Sequence, residues 1–391
     1  MQAATGRPGR HIIALDGIRG IAVAAVLIVH SFPDLTPEWA GGRWLLSLTA
    51  AGAFGVDLFF VLSGFLITGI LLTNVGTPHY FRNFYARRIL RLFPLYYLYL
   101  LVVMLFVPRL HTLLGTSMSD YSGSWTWYFL YLSNWKANFG ASDPFLGHFW
   151  SLAIEEQFYV VWPAVVFLCD RRWLVPVCVG LVVSATALRI AWSADAVYWN
   201  QIYRLTPSRW DTIAMGALAA IALRSHTWKP IASRAPVILM IAGFCGFASI
   251  ALFAGTAEWT AGPIQTIGSS FANICFTGLV LYGATAQQGL LVSCLRHPLL
   301  TSLGRYSYCL YVVHIIVIQH IYWLLSYLLA RVPNANAVPV ITLKLAFFVA
   351  ANAVCYYIAK LSWNVFESPI LALKERFGSS HDVRQHRAAR S

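Results

Sequence analysis

Charge is what this sequence has least of. Only 11% of its 391 residues are Asp, Glu, Lys or Arg, against roughly 25% in soluble domains. That scarcity excludes an ordinary water-soluble fold. Ligand-spaced cysteine is missing as well. The seven cysteines (169, 178, 245, 275, 294, 309 and 355) follow no CxxC or His-rich pattern, so neither a disulfide framework nor a metal site is expected, only buried thiols. No small-x-small cleavage site follows the first apolar run, where SFPDL comes directly after His30. That run is therefore expected to be a retained helix and not a signal peptide. Internal repeats and a linker between domains are absent too.

Apolar sequence fills the space. Hydrophobic residues make up 58% of the chain. They gather in runs such as 92–107, 174–190, 237–254, 267–286, 307–330 and 338–359, most of them near the ~20 residues a membrane-spanning helix requires. The pattern predicts an all-α polytopic membrane protein of about ten transmembrane helices enclosing a polar cavity. The spans are placed near 12–32, 52–72, 92–109, 149–169, 174–193, 210–223, 236–254, 266–286, 306–329 and 338–359. The net charge of +13 does not point to nucleic acid. With the amino terminus in the cytosol, most Lys and Arg fall in inner segments, as retention of positive charge on that side requires. Both termini are then cytosolic and the bilayer of the cell (cytoplasmic) membrane is the partner. Residues 1–10 form a cytosolic segment, 11–370 the membrane domain, and 371–391 a basic tail expected to be disordered. Trp and Tyr in the long outer loop, about 110–147, are expected at the headgroup interface.

Ionisable groups inside such spans are costly and are functional candidates by default. RGIAVAAVLIVH places Arg19 and His30 on one helix face, about 16 Å apart along the axis. GVDLFFVLSGFLITG puts Asp57 in a second apolar helix, on the same face as Gly64, a residue that permits close helix approach. HFWSLAIEEQFYVVWP aligns His148, Ser151, Glu155 and Tyr159 in one stripe. GRYSYCLYVVH does the same for Ser307, Tyr311 and His314. Several polar stripes imply a shared cavity, which either catalyses or conducts. Histidine beside carboxylate suits proton transfer. The alternative, a secondary transporter of a polar solute or lipid-linked sugar, more often has helices broken near the midplane. Here Pro94, Pro163, Pro207, Pro236 and Pro339 are read as lying near helix ends.

These stretches resemble the acyltransferase-3 family of integral-membrane acyltransferases over about residues 11–370. The resemblance runs in order through LDGIRGIAVAAVLIVH, GVDLFFVLSGFLIT and the RxxR of RNFYARRILRLFPLYY (Arg88, Arg91). It continues through the WSLxxExxFY-like stretch with Ser151, Glu155, Phe158 and Tyr159, SRWDTIAMGALAA (Arg209, Asp211, Gly216), GRYSYCLYVVH and the closing FESP. It implies transfer of an acyl group, usually acetyl from acetyl-CoA, to a hydroxyl of a carbohydrate or glycosylated acceptor. Some members carry a fused extracytoplasmic hydrolase-like domain. None is expected in this chain, so a separate extracytoplasmic transferase is a possible partner. On this reading His30 is the base or acyl carrier, oriented by Asp57 or Glu155. Arg19, Arg88 and Arg91 hold the anionic donor, acyl-CoA. Ser151, Tyr159, Arg209, Asp211 and His314 are candidates for substrate contacts, and Glu367 for a cap on the last helical segment.

Overall fold

A computed structural model describes residues 11–31, 49–113, 124–136, 143, 145–192, 199–329, 331 and 340–377. The amino-terminal segment 1–10, residues 114–123, 137–142 and 144 of the outer loop 110–147, and the tail from 378 onward lie outside the described residues. Among those described, every regular element is helical. Ten long helices carry the fold: α1 (Ile13–Ser31), α2 (Gly55–Asn74), α3 (Tyr80–Leu101), α4 (Phe149–Leu168), α5 (Arg171–Trp192), α6 (Thr206–Arg224), α7 (Pro236–Ala254), α8 (Ser269–Thr285), α9 (Pro298–Leu329) and α10 (Val340–Ser362). Among the described residues, nine helical stretches are long and apolar enough to cross a bilayer. The exception is α6, whose Arg209, Asp211 and Arg224 interrupt its apolar run.

The position of α6 resolves that exception. Its residues from Thr206 to Ile221 are mostly buried, and it packs against α2 and α5. A helix carrying charge is tolerated at membrane depth when neighbouring protein replaces lipid around it. Close packing here depends on two reciprocal glycines. A Cβ on Gly64 would lie 1.9 Å from the Ile213 carbonyl oxygen, and one on Gly216 would lie 1.9 Å from that of Val61. The peripheral helices read oppositely. Ile238, Ile241, Phe244, Leu252 and Phe253 of α7 are exposed, as a lipid-facing surface requires.

Neighbouring helices cross the bundle in alternating directions. α1 and α9 run side by side in the same direction: Gly17 meets Leu295, Gly20 meets Leu300, and Asp16 meets Gly304. α2, α4 and α6 run against them, with Gly69 beside Arg224 at one end and Thr68 bonded to Trp162. The ends near Arg88, Arg91, Arg171, Arg224, Arg234 and Arg296 therefore share one side of the bundle.

Four sequence expectations need correction. α3 begins at Tyr80, not near 92, so Arg82, Arg87, Arg88 and Arg91 stand on the helix. Its basic first turns extend the span beyond the hydrocarbon. Pro94 and Pro163 consequently lie inside helices and not near their ends. Tyr128 and Tyr131 are buried, not interfacial: Tyr131 stacks on Tyr96 with ring centres 4.1 Å apart. There the Tyr128 carbonyl accepts from Tyr96 and that of Tyr131 from Gln157, each at 2.8 Å. Finally, the tail expected to be disordered from 371 begins in helical turns, which continue through Phe377, whose carbonyl accepts from Arg87 Nε at 2.9 Å.

Candidate active site

The polar stripes converge on a cavity of about 760 Å³ between α1, α2, α3, α4 and α9. Its basic rim is built by Arg19, Arg88 and Arg91. Arg19 donates to Asp16 at 2.9 Å, a partner three residues back on α1. Asp16 also meets His11 Nε2 at 2.6 Å. The Arg88 guanidinium lies over the Tyr159 ring, 5.4 Å from its centre. Among the described residues no ion pair joins Arg88 or Arg91 to a carboxylate, so the rim retains net positive charge facing the opening. Arg88 and Arg91, three apart on α3, point together because that spacing is a helical neighbour relation.

Further in, Glu155 lies beside Ser63, Tyr159 and Arg88, and Ser63 is hydrogen-bonded to Tyr159. The innermost wall holds Ser151 and Tyr311, whose hydroxyls meet at 2.5 Å. Each also lies within hydrogen-bond distance of the His148 carbonyl, at 3.1 Å and 3.0 Å, so one hydroxyl donates to its partner and the other to the carbonyl. Behind Tyr311 stand three imidazoles. The His314 ring centre is 5.6 Å from that of Tyr311, 4.8 Å from His30 and 4.9 Å from His148. The cavity therefore runs from guanidinium groups to a wall of hydroxyls, and the imidazoles stand behind that wall without lining it. Guanidinium suits phosphate, and neutral imidazole suits proton abstraction. Among the described residues, no group of His, Cys, Asp or Glu side chains is arranged to hold a metal ion.

The structure thus gathers Arg19, Arg88, Arg91, Ser151, Glu155 and Tyr159 on one cavity, and sets His30 beside His314. It places the other three candidates elsewhere. Asp57 does not orient His30. It is fully buried and pairs with Arg209 at 2.6 Å. Asp211 is likewise buried and pairs with Arg189 at 2.7 Å. Arg189 Nη1 also donates to the Ser208 carbonyl at 2.6 Å. Arg209 and Asp211 are therefore tied into ion pairs between α2, α5 and α6, and neither lines the cavity. A charge this deep needs an opposite charge in contact, and the pairing partners were too far apart in sequence to be matched by spacing. Glu367 does not cap the last helical segment through its side chain; it accepts from Ser362 at 2.9 Å. Asp16, Ser63, Arg189 and Tyr308 were missed. Asp16 had a readable signal, since it lies three residues before Arg19 on the same helical face.

Comparison with known proteins gives a consistent picture. Residues 12–360 match the acyltransferase domain family. A putative peptidoglycan O-acetyltransferase of Bacillus subtilis, YrhL, is 41% identical over 163 residues, covering 39% of this chain and 23% of that protein. The peptidoglycan O-acetyltransferase OatA of Listeria monocytogenes is 31% identical over 268 residues, covering 65% and 41%. The O-acetyltransferase OatA of Staphylococcus aureus is 29% identical over 340 residues, covering 80% and 52%. The chain thus spans about half or less of the length of these relatives. No solved structure matches.

Proposed function

This chain belongs to the acyltransferase domain family, and from that membership we propose that it is an O-acetyltransferase of the cell membrane. The donor is acetyl-CoA, entering from the cytosol at the basic rim, and the acceptor is a hydroxyl of a cell-envelope carbohydrate. The observation that carries this reading is the single cavity whose rim is Arg19, Arg88 and Arg91 and whose inner wall is Ser151 and Tyr311. The donor combines polyanion with a narrow, mostly apolar arm, and the cavity has that polarity in that order.

The phosphates are held by the three arginines, with Glu155 and Tyr159 fixing the direction of Arg88. The acyl arm lies along Leu62, Leu66 and Leu92 towards the hydroxyl throat. His30 is the base. Its Nδ1–H donates to the Val26 carbonyl at 2.8 Å, because a carbonyl oxygen can only accept. Nε2 is thereby left as the lone-pair nitrogen. It takes the acceptor's hydroxyl proton as oxygen attacks the thioester carbon. The carbon–oxygen bond forms, the carbon–sulfur bond breaks, and the proton ends on the thiolate. The names of the Listeria and Bacillus relatives favour peptidoglycan as the acceptor glycan.

Membranes containing the protein should transfer radiolabel from acetyl-CoA into envelope glycan. His30→Ala should abolish transfer while the protein accumulates normally. Label transfer by a well-expressed His30→Ala protein would remove His30 from the chemistry.

A further inference from the structure

His30 lacks the neighbour that usually supports a histidine base. Asp57 is engaged by Arg209, and Glu155 lies on the far side of the throat from the imidazoles, beside Ser63, Tyr159 and Arg88. A proton taken by His30 therefore creates an imidazolium with no carboxylate in contact, deep in the bundle. Its ring neighbour is His314, which in turn meets His148.

Each of those histidines has its tautomer set by the backbone. His314 Nδ1 lies 2.6 Å from the Tyr311 carbonyl and His148 Nε2 lies 3.2 Å from that of Val312. Both nitrogens must carry the hydrogen, since both partners only accept. The opposite nitrogens, His314 Nε2 and His148 Nδ1, are then lone-pair acceptors. Both are buried and neither meets a protein donor. His314 is 0% and His148 7% exposed. Burying an acceptor without a donor is unfavourable, so a pair of such atoms beside one reactive histidine requires a reason.

We propose that His314 and His148 are positioning residues for the proton that His30 removes. In the resting protein their lone pairs have nothing to accept. When His30 becomes imidazolium its Nε2–H stays aimed at the acceptor oxygen and the departing sulfur, while the lone pair of His314, whose ring centre is 4.8 Å away, stabilises the positive ring through space, with His148 behind it at 4.9 Å. That charge–dipole attraction exists only once the acceptor hydroxyl has lost its proton, so it favours the transition state over the ground state. No atom is gained or lost by the cluster. The proton passes on to the departing thiolate and the imidazoles return to neutral. The inference rests on the reading of His30 as base, and it replaces the usual carboxylate with a pair of imidazoles.

The test measures label transfer from acetyl-CoA into peptidoglycan in membranes of the producing cell. His314→Ala should lower the maximal rate roughly tenfold to a hundredfold, the effect of losing one preorganised dipole beside charge that develops in the transition state. The acetyl-CoA concentration for half-maximal rate should move less than about twofold. His314→Asn keeps a donor for the Tyr311 carbonyl and an acceptor for His30, and should recover part of the rate. His148→Gln, by the same substitution of amide for ring, should be milder than His148→Ala. A normal maximal rate in His314→Ala would overturn the proposal. So would an intact rate with a raised requirement for added peptidoglycan fragments, which would make His314 a sugar contact. If the alanine variants fail to accumulate, the amide variants decide: folded His314→Asn and His148→Gln proteins with no measurable transfer would also overturn it. Failure of the wild-type protein, or full activity of His30→Ala, would instead defeat the underlying reading of His30.

Discussion

Arg19 illustrates how much a single side chain can be asked to do. It bonds Asp16 at 2.9 Å and still lines the cavity, because a guanidinium has five donors in a fixed fork. Arg19→Lys should keep the charge but lose one of the two engagements, raising the acetyl-CoA needed for half-maximal transfer. Arg19→Ala should raise it roughly tenfold to a hundredfold. Unchanged donor dependence in Arg19→Lys would make the residue a helix-end anchor. The Asp57–Arg209 pair makes a different prediction, about folding. Asp57→Ala leaves a buried guanidinium without its partner, a change that typically costs about 3–5 kcal/mol. The variant should therefore unfold at lower temperature in detergent, and Asp57→Ala with Arg209→Met should recover much of the loss. An Asp57→Ala protein as stable as wild type would contradict the pair's role. These two residues also mark the boundary of what sequence could tell. Arg19 and Glu155 were legible from helical periodicity, and Arg88 and Arg91 from the retention of positive charge on one side and the RxxR of the family resemblance. The partner of Asp57 was not, because it lies 152 positions away and only tertiary packing makes the match.

Among the elements, α6 is the most instructive. By composition it is the poorest of the ten spans, yet it is among the most enclosed, wedged against α2 through Gly64 and Gly216. Gly64→Ala should force the two backbones apart, since the added carbon would lie 1.9 Å from a carbonyl oxygen. Overpacking of that kind typically costs about 1–3 kcal/mol. Lower yield and a lower unfolding temperature than wild type are expected; a Gly64→Ala protein with both unaltered would mean the contact yields freely. Helix identity was readable along the chain, because long apolar runs have few alternatives in a membrane protein. Helix ends were not. Around Tyr80 the apolar signal stops while the helix continues, since hydrogen bonding between backbone groups is indifferent to whether the side chains are wet. The segment from Trp125 to Lys136 was misplaced for a related reason: its aromatic rings suit a headgroup region and a protein interior equally well.

For the whole molecule, alternating helix directions put the basic helix ends on one side, and we propose that this side faces the cytosol, where positive charge is retained. In a background without native cysteines, Glu258→Cys should react with an impermeant thiol reagent in intact cells. His226→Cys, at the other end of the bundle, should react only after the membrane is opened. The reverse pattern would invert the protein and place the donor rim outside. The side-by-side course of α1 and α9 has a consequence for biogenesis. His30 and its nearest ring neighbour, His314, lie 284 positions apart in the chain. At roughly 5–20 residues per second of synthesis, His30 waits on the order of a quarter of a minute to a minute before His314 leaves the ribosome. Through that interval the growing chain must keep a polar α1 in or beside the bilayer without its permanent neighbour. Insertion machinery that shelters early helices until late ones arrive is therefore a requirement of this site, and a nascent chain stalled before α9 should be extractable from it still attached.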